Sequence, residues 1–449
     1  MDKAREAALK ALAEIETKKA YSNLVLKKIL RDNTLDARDR GFITELVYGT
    51  VTRKLTLDWI ISQFSKTKLS KLSFWVLLIL RMGVYQLLFL DRVPVSAACN
   101  TSVNLSKRYA KASSGFVNAI LRNVSRKKSE IKLQEIQTGS PVKDLSVRYS
   151  FPEFLVKAWI SDFGRDFTLK LLEALLERPD FCVRINTMKT TVEEVTQELS
   201  EAGMDVTPGR FLPEALVLSG VSDISRASVF LDGEITVQDE SSMLVAHILD
   251  PQPGERILDV CAAPGGKTTH IAQLMKNQGH ITAWDIHEHK TKLIRETAHR
   301  LGITIIDTET RDALEPADRT KQQYHRVLVD APCSGTGIIR RKPDIKWQRE
   351  PEDFNSLIEV QKKILYNAGS IVVPGGVLVY STCSLDVREN EQVVRDFLRN
   401  NPDFEASGLD VYLPEKLRGR QGSSEGMFQL FPHIDNTDGF FIARMKKKN

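Results

Sequence analysis

Two cysteines stand in equivalent places, Cys333 in YHRVLVDAPCSGTG and Cys383 in GGVLVYSTCSL, each just past the carboxyl end of an apolar run that reads as a buried strand. A thiolate suits reversible addition to an electrophilic carbon, so two thiols beside a glycine-rich loop point to covalent chemistry on a substrate. Asp330 lies three residues before Cys333; Pro332 stiffens the turn, and Gly335 and Gly337 leave room for a large flat ligand. The residues alone do not say which cysteine attacks. A metal reading of Cys261, Cys333 and Cys383 finds no C-x-x-C pair and no histidine at zinc spacing, so no metal is expected.

Upstream, RILDVCAAPGGKTTHIAQLM reads as strand, turn and helix, with Cys261, Ala262, Ala263, Pro264, Gly265, Gly266 and Lys267 in the turn. The two glycines let backbone approach a ligand ahead of a helix N-terminus. The turn fits neither the G-x-G-x-x-G fingerprint nor a Walker loop. Asp285 ends the next strand, where a carboxylate can accept both hydroxyls of a ribose or cap the following helix. Asp312, after the third strand, is placed for an adenine amino group or a turn cap. Together they imply an adenosine-containing cofactor.

These loops need a scaffold. In the carboxyl half, HITAWDI, TIIDTET, HRVLVDAP and GGVLVYSTC alternate with helical stretches, the pattern of a Rossmann-like α/β domain over residues 236–449 with ligands at the strand carboxyl ends and DGFFIARMKK closing the sheet edge. Residues 1–128 show apolar positions at three-to-four spacing and no proline before Pro94, so an all-α domain is expected. The apolar run Leu72 to Leu90 contains Arg81, Gly83 and Gln86 and reads as two buried helical segments, not a membrane span. Residues 129–235 read as a linker followed by a small α+β module, with FCVRINTMKT, EALVLSG and SVFLDGEITV as strands, expected to contact RNA or to serve packing alone.

Charge is uneven. Residues 1–128 carry 24 Lys+Arg against 10 Asp+Glu, net +14, and the remainder carries 39 against 48, net −9. Lys107, Arg108, Lys111, Arg122, Arg126, Lys127 and Lys128, interleaved with Tyr109 and Phe116, fit a polyanion-binding face or a solvated surface. Arg340, Arg341, Lys342 and Lys346 after the Cys333 loop are candidates for an RNA backbone, with Trp347 either stacking on a base or filling a core. Five widely spaced cysteines fit a reducing cytoplasm. The charged, amphipathic opening MDKAREAALKALAEIETKK is not read as a signal peptide. Nothing indicates a coiled coil or a large exposed apolar face, so a monomer is expected.

DVCAAPGGKT, DAPCSGTG, YSTCSL followed by ENE, and PHIDNTDGFFIARM resemble the RNA cytosine-C5 methyltransferases that use S-adenosyl-L-methionine. The first 128 residues look like a NusB-type RNA-binding domain. The resemblance covers nearly the whole chain, weakest over 129–235, and implies a 16S rRNA or small-subunit precursor substrate with cytosine 967 as target. By resemblance, Cys383 bonds C6 of the base and Cys333 serves product release. Asp330 contacts the base near N3 and N4, and Lys267 orients the base or Asp330. The cofactor is held by the 261–267 loop, Asp285, Asp312 and Asp330. Another rRNA or tRNA cytosine, a DNA or protein substrate, and an RNA-binding assembly factor with a vestigial cofactor site are the alternatives.

Overall fold

The computed structural model describes residues 2–31, 35–221, 223–316 and 323–449. The chain forms two compact units, Met1–Glu177 with Ile339–Arg349, and Arg178–Ile338 with Glu350–Asn449.

The first unit is helical. Asp2 and Asp36 cap the helices Lys3–Lys18 and Ala37–Thr52 by accepting from the backbone N–H groups of Arg5 and Asp39. The Leu72 to Leu90 run forms one helix, Phe74–Phe89, instead of two segments. It is buried nearly all round, and each Leu- or Ile-sized side chain so removed from water contributes about 1.5–3 kcal/mol. Its charge is neutralised in place: Arg81 Nε and Nη2 each bond Asp58 at 2.7 Å, and Gln86 accepts from Arg5 Nε at 2.6 Å. No helix among the described residues is long and apolar enough to cross a membrane.

The helices Pro141–Tyr149, Glu153–Phe163 and Arg165–Ala174 group with the first unit, where Thr56 Oγ1 donates to the Val147 carbonyl at 2.6 Å and Ser150 Oγ accepts from Leu55 N at 2.9 Å.

The second unit holds two sheets. The smaller has strands β1 (Phe181–Ile185), β2 (Asp205–Pro208), β3 (Ala215–Ser219) and β4 (Ile235–Val237) in the antiparallel order β2-β3-β1-β4. SVFL, expected as strand, is a short helix, Ser228–Leu231, leaving only ITV in the sheet. β2, absent from the sequence expectation, is a short, largely exposed edge strand.

The larger sheet comprises β5 (Arg256–Asp259), β6 (His280–Asp285), β7 (Ile306–Thr310), β8 (Tyr324–Asp330), β9 (Val372–Thr382), β10 (Phe404–Ala406), β11 (Met427–Leu430) and β12 (Phe440–Lys447). Its order is β10-β12-β9-β8-β5-β6-β7, with β11 also on β12. β5 to β9 run parallel, and β12 is antiparallel to β9. β12 is not the edge expected from its position near the end of the chain, because β10 and β11 pair along its far side. Alternation fills both faces: Leu328 and Val379 enter one apolar cluster, Val327, Val329, Leu378 and Tyr380 the other. From β5 the order runs outward to β6 and β7, then reverses to β8 and β9. That switch point opens a crevice at the carboxyl ends of β5 and β8.

Candidate active site

The residues singled out for chemistry meet at that crevice. Past β5, Gly265 takes φ 100°, a left-handed conformation that favours glycine, and caps the helix Gly266–Leu274. Gly265 N bonds the Ala262 carbonyl at 2.8 Å and Ala262 N bonds the Trp284 carbonyl at 2.8 Å, so the turn is tied to β6. The helix start then aims Lys267, whose Nζ lies 2.8 Å from Asp330 Oδ2 at the end of β8 and 4.8 Å from the Phe440 ring centroid. Ser381 Oγ donates to Asp330 Oδ1 at 2.8 Å. Both carboxylate oxygens of Asp330 are therefore fixed, one by a cation and one by a hydroxyl.

Cys333 and Cys383 are both reduced, with sulfurs 3.4 Å apart. The contact with Cys383 pushes the Cys333 thiol well above the usual thiol range, and burial pushes it further. Cys333 is thus favoured as the protonated thiol. Burial also raises Cys261 well above that range. Asp259, ending β5, accepts from Thr268 Oγ1 at 2.8 Å; burial raises its carboxyl to about 7, the nearby Asp330 charge adding and the Thr268 bond and Lys267 opposing.

The Cys333 loop is braced by residues that the sequence reading left without a role. Gln361 Nε2 donates to the Pro332 carbonyl at 3.0 Å and to Glu389 Oε2 at 3.2 Å, and Ser334 N donates to the same Glu389 oxygen at 2.8 Å. Tyr380 OH in turn holds the Glu389 carbonyl at 2.7 Å. Glu389 belongs to the ENE triplet, and Ser381 shares the face of β9 with Cys383, two residues on. Strand alternation was the one signal for Ser381. Gly337 has a different reason from the one expected. A Cβ there would lie 1.9 Å from the Gly439 carbonyl oxygen, so this glycine lets two backbone segments touch and is not a surface for a flat ligand.

Asp285 is buried at the end of β6, and its Oδ1 accepts from His287 N at 3.0 Å with Lys290 Nζ at 3.7 Å. Asp312 Oδ1 accepts from Leu314 N at 2.9 Å, the turn-capping arrangement considered for it. Asp285 stands at the carboxyl end of β6, the strand beside β5 and its Gly265 turn, and Asp312 follows β7, one strand further out.

The basic candidates divide. Arg340 and Lys346 are buried, and Lys346 Nζ donates to the Thr52 carbonyl at 2.9 Å, 3.9 Å from the Phe151 ring centroid. Trp347 Nε1 bonds the Val51 carbonyl at 2.8 Å, and Asp344 accepts from Ser22 N and Oγ at 2.9 and 2.7 Å. The chain after the Cys333 loop is thus packed into the helical unit. This corrects the RNA-backbone assignment of Arg340 and Lys346 and the stacking option for Trp347. Arg341 and Lys342 are half-buried. Lys107, Arg108, Lys111, Arg122, Arg126, Lys127 and Lys128 are exposed. The interleaved Tyr109 instead packs on Trp75, ring centroids 4.6 Å apart, and bonds Glu6 at 2.8 Å. Accordingly, Lys346→Met leaves RNA affinity within about twofold of the parent in a filter-binding titration. Lys346→Ala empties a packed site and lowers stability by about 2–4 kcal/mol in a urea melt.

Residues 246–446 match the family model of the 16S rRNA methyltransferase RsmB/F, residues 2–126 the NusB family, and residues 151–225 the ferredoxin-like domain of RsmF/B-like methyltransferases. The chain is similar to a probable ribosomal RNA small subunit methyltransferase B of Bacillus subtilis, 43% identical across 99% of this chain and 98% of the relative. It is also similar to the Synechocystis protein of the same description, 38% identical across all of both chains. A solved structure, that of PH0851, superposes with TM-score 0.83 at 29% identity, covering 100% of this chain and 99% of the other.

Proposed function

Since the chain belongs to the family of ribosomal RNA small subunit methyltransferase B, we propose that it methylates C5 of one cytosine of 16S rRNA, cytosine 967, through a covalent bond between Cys383 and C6 of the base. The observation that carries this reading is the pair of sulfurs 3.4 Å apart beside a carboxylate whose two oxygens are pinned by Lys267 and Ser381.

The residues at the strand ends suit an adenosine-bearing cofactor: a helix N-terminus opened by a left-handed glycine, a buried carboxylate ending β6 and a polar turn after β7. The loop from Cys261 to Lys267, with Asp285, Asp312 and Asp330, would hold S-adenosyl-L-methionine. When bound, that cofactor supplies an electrophilic methyl group.

Cytosine C5 is a weak nucleophile until a group adds at C6. The Cys383 thiolate makes that addition, and electron density moves to C5 and the N3 edge. Asp330 hydrogen-bonds the base near N3 and N4 where this charge develops, and Lys267 fixes the carboxylate's direction. After methylation C5 bears both a proton and the new methyl. The C5 proton passes to Cys333, which can act as thiolate once the neighbouring Cys383 sulfur is tied up in the bond to C6; the C5–H pair rebuilds the C5–C6 double bond, and the C6–S pair leaves on the Cys383 sulfur. Cys333 serves this elimination from its place beside the scissile sulfur. C5 is out of reach inside a paired helix, so the target base is unpaired or flipped. Lys107, Arg108 and Arg122 on the exposed basic face contact rRNA phosphates, and Arg341 and Lys342, which follow the Cys333 loop in sequence, remain candidates.

Bisulfite sequencing of rRNA from cells lacking this protein tests the reading. Loss of a single 5-methylcytosine, at position 967, is the expected result. An unchanged rRNA pattern overturns it, and a loss confined to tRNA moves the activity to a different substrate.

A further inference from the structure

Away from the strand ends, three side chains of the second unit converge. Glu214 directly precedes β3, His247 lies on the helix Glu240–Leu249, and His270 lies on the helix Gly266–Leu274. Glu214 Oε1 is 2.6 Å from His247 Nε2 and 3.2 Å from His270 Nε2, and all three ligand atoms lie within 4.8 Å of one another. The imidazole rings meet edge to face, 5.3 Å between centroids. His270 is fully buried; its Nδ1 has no hydrogen-bond partner, and its Nε2 meets only the Glu214 carboxylate, outside good hydrogen-bond geometry. A buried polar group left in that state calls for a water or an ion.

We propose that Glu214, His247 and His270 form a binding site for one zinc-class divalent cation, separate from the methyl-transfer site. Two imidazole nitrogens and one carboxylate oxygen are the donor set of a borderline ion such as Zn²⁺ or Co²⁺, and one carboxylate gives too few oxygens for Mg²⁺ or Ca²⁺. Tetrahedral coordination at about 2.0–2.1 Å separates ligand atoms by about 3.3 Å. The Glu214–His270 distance of 3.2 Å already meets this. The 2.6 Å Glu214–His247 contact must open, which rotation of His247, its side chain 27% exposed, allows.

Arg184 is buried in the same interior and raises the cost of any cation there, so the site rejects ions that gain little from nitrogen donors. Its guanidinium is turned onto Gln238, the Gly266 carbonyl at 2.8 Å and Thr269 at 3.1 Å. Three protein ligands leave a fourth position for water on the His247 side. The ion would fasten the loop entering β3 to two helices of the larger sheet's layer, including the helix that begins at Gly266 and carries Lys267. The ligands come from three separate elements, so the short-spacing test that led to an expectation of no metal does not see them.

The test uses the purified full-length chain without RNA, so its outcome is independent of the methyl-transfer reading. Elemental analysis after exhaustive dialysis is expected to find one zinc per chain. Chelator-treated protein given Co²⁺ is expected to show the d–d bands of a tetrahedral nitrogen/oxygen site. His247→Ala, at the part-exposed ligand, is expected to lower Zn²⁺ affinity by at least about 100-fold, and Glu214→Gln to do the same. Metal content far below one per chain without Co²⁺ bands overturns the proposal. So does unchanged stoichiometry in His247→Ala, which would mean an adventitious ion only or one held by the thiols.

Discussion

Cys383→Ala abolishes methyl transfer, with a loss of at least about 10⁴-fold in kcat, the scale on which removing a covalent nucleophile acts. The change deletes one part-buried sulfur at the end of β9 and leaves its surroundings in place. The Cys383 carbonyl still accepts from Gly337 N at 2.9 Å, and Ser381 and Lys267 still fix Asp330. Folding and cofactor affinity therefore stay close to those of the parent, and the deficit falls on kcat. Labelled methyl incorporation into a 16S rRNA transcript measures it, with cofactor titration by calorimetry as the control. If instead Cys333 were the attacking thiol, as the Pro-Cys loop does in DNA cytosine methyltransferases, Cys383→Ala would still bond the base. Normal turnover in this variant would end the Cys383 assignment.

How far the sequence anticipates this site depends on where each residue's partners lie. Asp330, Cys333, Cys383 and the Gly265 turn are legible because an apolar run followed by a glycine or polar break marks a strand end, and strand ends of a parallel sheet point to a common crevice. Ser381 and Glu389 act through partners 51 and 55 positions away, and nothing in their local composition separates them from ordinary polar residues. Lys346 is misread for a stronger reason. A basic run ordinarily marks a solvated face, but here the chain returns to a carbonyl 294 positions earlier in sequence, a tertiary decision no window of local sequence contains. β2 and the SVFL helix fail differently. Both are short, and at that length burial and neighbouring strands override local propensity.

Cys333→Ala separates the two thiols in the opposite sense: methylated rRNA accumulates covalently attached to the protein. Cys333 Sγ sits 3.4 Å from the sulfur that must be released. The backbone that carries it is held by Gln361 at the Pro332 carbonyl and by Glu389 at Ser334 N. Alanine therefore removes the group without moving the loop, so addition at C6 and methylation proceed while elimination stalls. Multiple turnover falls by about 10²–10³-fold, the usual weight of a proton-transfer group, while a single methyl per enzyme is still incorporated. A denaturing gel checks this directly. A slow band that carries the labelled methyl, survives denaturant and disappears with ribonuclease is expected for Cys333→Ala, and is absent from Cys383→Ala and from the double variant. The double variant is decisive, because removing the attacking sulfur must abolish any adduct whatever else stabilises it. A trapped band in Cys383→Ala, with none in Cys333→Ala, would exchange the two roles and leave the rest of the site as described.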